Sequence, residues 1–160
     1  MTYRTLGFLV AACAFGIDQI SKGIVLATTS LQAGIEVFPF FNLVLVRNHG
    51  VSFGLLSGLT PWWALASLSL VVAAILFVWL WKTHSGLLSI ALGLLIGGAL
   101  GNASDRIRHG AVIDFLDFHF AQYHWPAFNL ADAAIVCGAG LLIIETLRSE
   151  QRPQSTAGRQ

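Results

Sequence analysis

Charge is scarce in this chain of 160 residues: Asp, Glu, Lys and Arg together make up 11% of it, and the formal net charge is +1. Basic residues so few and so scattered give no electrostatic grip on nucleic acid, which sets that class of partner aside. Cysteine is scarcer still. Cys13 and Cys137 each lie in an apolar stretch, where a thiol behaves as a small hydrophobe, so neither a disulfide framework nor a zinc spacing follows. His49, His84, His109, His119 and His124 show no HExxH or comparable spacing. They read as loop histidines, and neither a metal nor another cofactor is expected.

What the chain has in quantity is apolar surface: 56% of its residues are hydrophobic, and the mean hydropathy is +0.73. That is the composition of a membrane protein. Spanning the hydrocarbon core takes about 20 mostly apolar residues in a helix, because no water satisfies backbone groups there. Four segments meet that demand, at 6–26, 61–81, 87–105 and 130–147. The expected fold is an all-α membrane protein of four transmembrane helices, with one domain over 1–147 and a polar, disordered cytoplasmic tail over 148–160 containing Pro153.

Four spans put both termini on one side. Arg4, Lys82, Arg148, Arg152 and Arg159 share that side, against Lys22, Arg47, Arg106 and Arg108 on the other. Lys22 and Arg106 have acidic neighbours at Asp18 and Asp105, which suggests local pairing and leaves the count in favour of cytoplasmic termini. The connection 27–60 contains FFNLVLVRNHGVSFG, a β-branched and aromatic run ending in a turn at Asn48-His49-Gly50, and reads as a small extracytoplasmic β-sheet. WKTHSG is a tight cytoplasmic turn. The stretch 107–129 lies outside again, as a periplasmic loop or short helix. Gly93, Gly97 and Gly101 recur every fourth residue and so line one helix face, where a neighbouring helix can approach closely.

Against this apolar background the polar residues stand out, since Asp, Lys or Arg at a helix centre costs about 2.5 to 3.5 kcal/mol to insert. Asp18, Lys22, Asn102, Asp105, Arg106, Asn129 and Asp132 all map near the extracytoplasmic ends of helices one, three and four, and Asp114 joins them from the loop between the last two. Asn102, Asp105 and Arg106, spaced by three and four, form one polar face. For Asp105 a helix-ending contact with Arg106 explains the residue as well as catalysis does, and Asp18 with Lys22 suits an intrahelical ion pair. Asn129 and Asp132, after Pro126, also describe an N-cap with an acidic third residue.

Asp114 carries the reading past capping. Flanked by Val112, Ile113, Phe115 and Leu116, its carboxyl group emerges from an apolar stretch, where burial favours the neutral form. If the fold brings it beside Asp132, two poorly hydrated carboxylates share a proton, as in aspartyl proteases. One then takes a proton from the attacking water while its partner donates to the carbonyl oxygen or leaving amine. Which does which is open. Asp117 is a nearby alternative to Asp114, although in an extended segment the two need not point the same way. A Ser52–Lys22 dyad lacks an activating feature around the serine. Intramembrane acids also build proton relays, so a small proton or ion transporter is the alternative from another class.

The stretches DQISK from Asp18, NHGVSFG from Asn48, GGALGNASDR from Gly97, VIDFLDF from Val112 and FNLAD from Phe128 closely resemble the ordered motifs of the bacterial lipoprotein signal peptidases, also called signal peptidase II. Five motifs in one order cover nearly everything except the tail. The resemblance implies that Asp114 and Asp132 are the catalytic aspartates, and that Asp18, Lys22, Asn48, Gly50, Asn102, Asp105, Arg106, Asn129 and Ala131 support the site or substrate. His49 falls at a variable position. The resemblance also implies the substrate, a prolipoprotein already carrying diacylglycerol on its lipobox cysteine and cut immediately before it. The expected protein is a monomer among lipids of the bacterial inner membrane. Val10-Ala11-Ala12-Cys13 itself looks like a lipobox, but the apolar run continues through Ala14, Phe15 and Ile17, and cleavage there would destroy the first span.

Overall fold

The computed structural model describes residues 1–50 and 60–150. The tail beyond 150 and Ser52 lie outside the described residues.

Four helices dominate: α1 (Tyr3–Ala27), α2 (Trp62–Lys82), α3 (Gly86–His109) and α4 (Leu130–Glu150). Each is long and apolar enough to cross a membrane. They begin where capping chemistry allows. The Thr2 hydroxyl accepts from the Thr5 amide at the start of α1, and that of Ser85 from Leu88 at the start of α3. Helix α3 runs about one turn past the apolar segment that predicted it, and stops at Gly110, whose φ of 68° suits a residue without a Cβ.

Helix α3 is the hub. In its apolar window 61% of residues are buried, against 22% or fewer in the others, and it packs against α1, α2 and α4 in turn. The glycine face makes this possible. A Cβ on Gly93 would meet the Gly7 carbonyl oxygen at 2.5 Å, and one on Gly97 would meet that of Ala11 at 2.6 Å, so α1 lies directly on this stripe. On a neighbouring face Gly98 does the same for α4, a Cβ there lying 2.5 Å from the Ala131 carbonyl oxygen. Without a hydrophobic drive between helices in lipid, such close backbone contact is what holds them.

At one end of the bundle sits a four-stranded antiparallel sheet in the order β1-β2-β3-β4: Ile35–Phe38, Phe41–Asn48, Val112–Phe120 and Tyr123–His124. The region expected as a loop or short helix between α3 and α4 is therefore strand, because its β-branched and aromatic residues find a complement in β2, with Val46 opposite Asp114 and Asn48 opposite Val112. The one short helix among the described residues is a 3-10 turn, Thr29–Gln32, after α1.

A local irregularity in β3 decides which way its acids face. The amides of both Phe115 and Leu116 donate to the Phe128 carbonyl oxygen, at 3.0 and 2.9 Å, so two residues oppose one. That is a β-bulge. It turns Ile113, Phe115 and Leu116 together toward a core containing Val25 and Leu31. Asp114 and Asp117, which strict alternation would separate, are left on the opposite side.

Candidate active site

The site grows from a buried ionic cluster between α1 and α3. Asp18 and Lys22 are one helical turn apart, and Nζ of Lys22 lies 2.8 Å from Asp18 and 2.8 Å from Asp105 across the interface. All three are essentially inaccessible. Each acid has a further duty. Asp18 accepts the Ala131 amide at 2.9 Å, tying α1 to the start of α4, and Asp105 accepts the Ile113 amide at 3.1 Å, tying α3 to β3. Gln19 donates to both acids at 3.1 Å, while its oxygen accepts from Ser104 and Arg108.

The Asp105–Arg106 pairing expected from their adjacency does not form. Asp105 is engaged by Lys22, and Arg106 instead donates to two backbone carbonyls, Gly50 at 3.0 Å and Asn102 at 3.4 Å. Side chains one residue apart on a helix do not face each other, which is the physical reason.

Lys22 also donates to the Asn102 side-chain oxygen at 3.2 Å, and from there amides lead to the two aspartates. Asn102 Nδ2 donates to Asp132 Oδ1 at 2.7 Å. Asn129, fully buried, donates from Nδ2 to Asp114 Oδ1 at 2.6 Å and to Asn102 at 3.2 Å. Its backbone amide donates to Asp132 Oδ2 at 3.3 Å, and its side-chain oxygen accepts the Asp132 amide at 2.9 Å. Capping and site building are thus one arrangement: Asn129 and Asp132 close the start of α4 reciprocally, and the same asparagine reaches Asp114. The second oxygen of Asp114 accepts from Asn48 at 3.0 Å, and Asn48 in turn accepts the Gly50 amide at 3.0 Å.

Asp114, Asp132 and the nine residues that the resemblance assigned to their support all belong to this one network; Asp117, the alternative to Asp114, does not. Burial pushes the Asp114 carboxyl up to about 6; the amide of Asn48 opposes that and the charge of Asp132 adds to it.

Asp114 and Asn48 form one wall of a cavity of about 480 Å³, and Asp117 and His124 form another. Asp117 accepts from Asn42 at 2.9 Å and from His124 Nδ1 at 2.9 Å. Burial would raise its carboxyl, but these hydrogen bonds outweigh it and hold the group below the usual range. His119 stacks on His124 with ring centroids 4.8 Å apart, and its own ring nitrogens are buried without a partner among the described residues. The sequence offers Asp117 as an alternative acid, but not its pairing with His124 and Asn42, nor the role of Gln19. For Gln19 the signal was its position inside DQISK, beside Asp18; for His124 there was none, since its partner lies across a hairpin. Among the described residues no three His, Cys, Asp or Glu side chains are arranged to hold a metal ion.

Comparison with known proteins fits this geometry. The family model described as signal peptidase (SPase) II matches residues 10–148. The lipoprotein signal peptidase of Shewanella loihica is 45% identical over 91% of this chain and 88% of its own. That of Methylocella silvestris is 44% identical over 99% and 95%. That of Ralstonia nicotianae is 48% identical over 85% and 80%. A bacterial membrane enzyme solved by the in meso method at 2.3 Å superposes with a TM-score of 0.83 at 30% identity, covering 96% of this chain and 94% of that one.

Proposed function

The chain belongs to the signal peptidase II family of aspartic-type peptidases, and from that premise we propose that Asp114 and Asp132 are the two carboxyl groups that hydrolyse the scissile bond. The observation that carries this is Asn129, hydrogen-bonded to both acids at once, Asp114 at 2.6 Å and Asp132 at 3.3 Å. Two buried acids that share a hydrogen-bonding partner and raise one another's cost of ionisation retain one proton between them. The ionised member takes a proton from water as it attacks the carbonyl carbon while the protonated member donates its own to the carbonyl oxygen; the proton taken from water then passes to the leaving amine as the C–N bond breaks, and the hydroxyl returns its proton to the pair. Asn48, Asn102 and Asn129 orient the acids. Asp18, Lys22 and Asp105 fix the helices that carry them, and Arg106 holds the Gly50 carbonyl beside Asn48.

The substrate is a prolipoprotein, from which the enzyme removes the signal peptide. The finer reading is that the cysteine already bears diacylglycerol and that the cut falls just before it. A site at the end of a lipid-embedded bundle supports this, because acyl chains can stay in the bilayer while the peptide bond reaches the acids. The protein acts as a monomer in the bacterial inner membrane, with a domain that α4 carries past the expected boundary at 147 to Glu150, and a polar tail after it. Burial of Lys22 and Arg106 removes both from the positive-inside count and leaves Arg47 and Arg108 opposed to Arg4, Lys82 and Arg148, which favours cytoplasmic termini. The transporter alternative finds no support in the relatives.

Purified protein in proteoliposomes tests the reading. A diacylglyceryl-modified precursor is expected to yield a fragment beginning at the modified cysteine by mass spectrometry, with no proton flux. Equal cleavage of the unmodified precursor would overturn the substrate assignment.

A further inference from the structure

The cavity that Asp114 lines extends away from it along β3, and what lines that end is built, not incidental. The bulge at Phe115–Leu116 puts Asp117 on the same side of β3 as Asp114. Three residues of strand separate them by about 10 Å. Both Asp117 oxygens lie 2.9 Å from His124 Nδ1, Asn42 braces one of them, and His119 stacks under the imidazole. An ionised carboxylate only accepts, so Nδ1 carries a proton, and in the tautomer this selects Nε2 is left to accept. Nε2 has no partner among the described residues, and the side chain is half exposed on the cavity wall.

A precursor's two sides differ chemically. The signal segment is apolar and belongs in lipid, whereas the mature polypeptide is polar and leaves the membrane. The chain re-enters the bilayer at α4 just after Phe128, which pairs with Leu116, so the hairpin from Asp117 to His124 projects past that level. A polar polypeptide leaving the membrane would run along it.

We propose that His124, oriented by Asp117, is a specificity residue that accepts a hydrogen bond from a backbone amide of the precursor within the first three residues after the modified cysteine. This rests on the assignment of Asp114 and Asp132. Asp117 acts through His124 and is a positioning residue.

Diacylglyceryl-modified precursor peptides N-methylated at the first, second or third amide after the cysteine separate the possibilities. With the wild-type protein, methylation at one of the three is expected to raise KM about five- to tenfold with kcat little changed, the size of one lost hydrogen bond. His124→Ala is expected to show the same raised KM with the unmethylated peptide and no further rise with the methylated one, and His124→Gln, which keeps an acceptor, to recover most of the difference. If none of the methylated peptides has a raised KM with wild-type protein, the proposal fails, whatever the variants' folding. It fails equally if methylation affects wild type and His124→Ala alike. Cleavage by folded Asp114→Asn would instead remove the catalytic assignment, a separate result.

Discussion

Lys22 on α1 and Asp105 on α3 meet at 2.8 Å in a place where each is about 2% exposed, so that one ammonium group neutralises an acid on its own helix and another across the interface. Removing one partner of such a buried pair strands the other's charge, at a cost of about 3 to 5 kcal/mol. Lys22→Met is expected to lower the thermal unfolding midpoint sharply in detergent. Adding Asp105→Asn to it should restore part of the loss. Unaltered stability of the single variant would mean that the cluster does not brace the bundle.

The glycine stripe makes a positional prediction. Gly97→Ala drives a Cβ to 2.6 Å from a backbone oxygen of α1 that has no freedom to retreat, and should cost about 1 to 3 kcal/mol. Gly16→Ala meets nothing within 4 Å and should be neutral or gain up to about 1 kcal/mol. Melting curves of the two variants side by side check the contrast.

The four spans were legible in the sequence because length and hydropathy alone decide them, and the candidate residues because polar groups in an apolar chain must have partners. What was not legible depended on pairing between distant segments. Asp114 and Asp117 share a cavity only because Phe128 bulges β3, and nothing near residue 114 encodes that. The sequence pairs Arg106 with its neighbour Asp105, whereas its carbonyl partner, Gly50, comes from the distant connection between α1 and α2. The stretch holding Asp114 reads as a loop or short helix in isolation because its strand partner lies some 70 residues earlier, Val46 opposite Asp114.

Asp114 sets a pH dependence. Its carboxyl is raised by burial to about 6 from an ordinary value of 3.8, so the folded state favours the protonated form. The stability this group contributes is full below about pH 4 and is lost as pH rises through 6. The melting midpoint of Asp114→Asn, which stays neutral, should therefore gain on wild type between pH 4 and pH 7. In the wild type, kcat/KM should decline as pH rises above about 6, where the pair gives up its shared proton. A flat profile from pH 5 to 8 would argue against that proton.

His119 offers a replacement that should be harmless. Its ring nitrogens are buried without partners among the described residues, so Phe, similar in shape and free of that desolvation, should hold or raise stability by about 1 kcal/mol. Thermal unfolding of His119→Phe is the check, and a marked loss would point to a hydrogen bond through those nitrogens.

Everything turns on the chemistry of two acids joined through Asn129, and single-turnover cleavage of a diacylglyceryl-modified precursor by Asp114→Asn and Asp132→Asn measures it most directly. Each variant, verified as folded by its melting curve, should cleave at least about 100-fold more slowly than wild type, and the double variant no more slowly than the worse single one, because the two act as a unit. Wild-type rates in either folded variant would contradict the assignment outright.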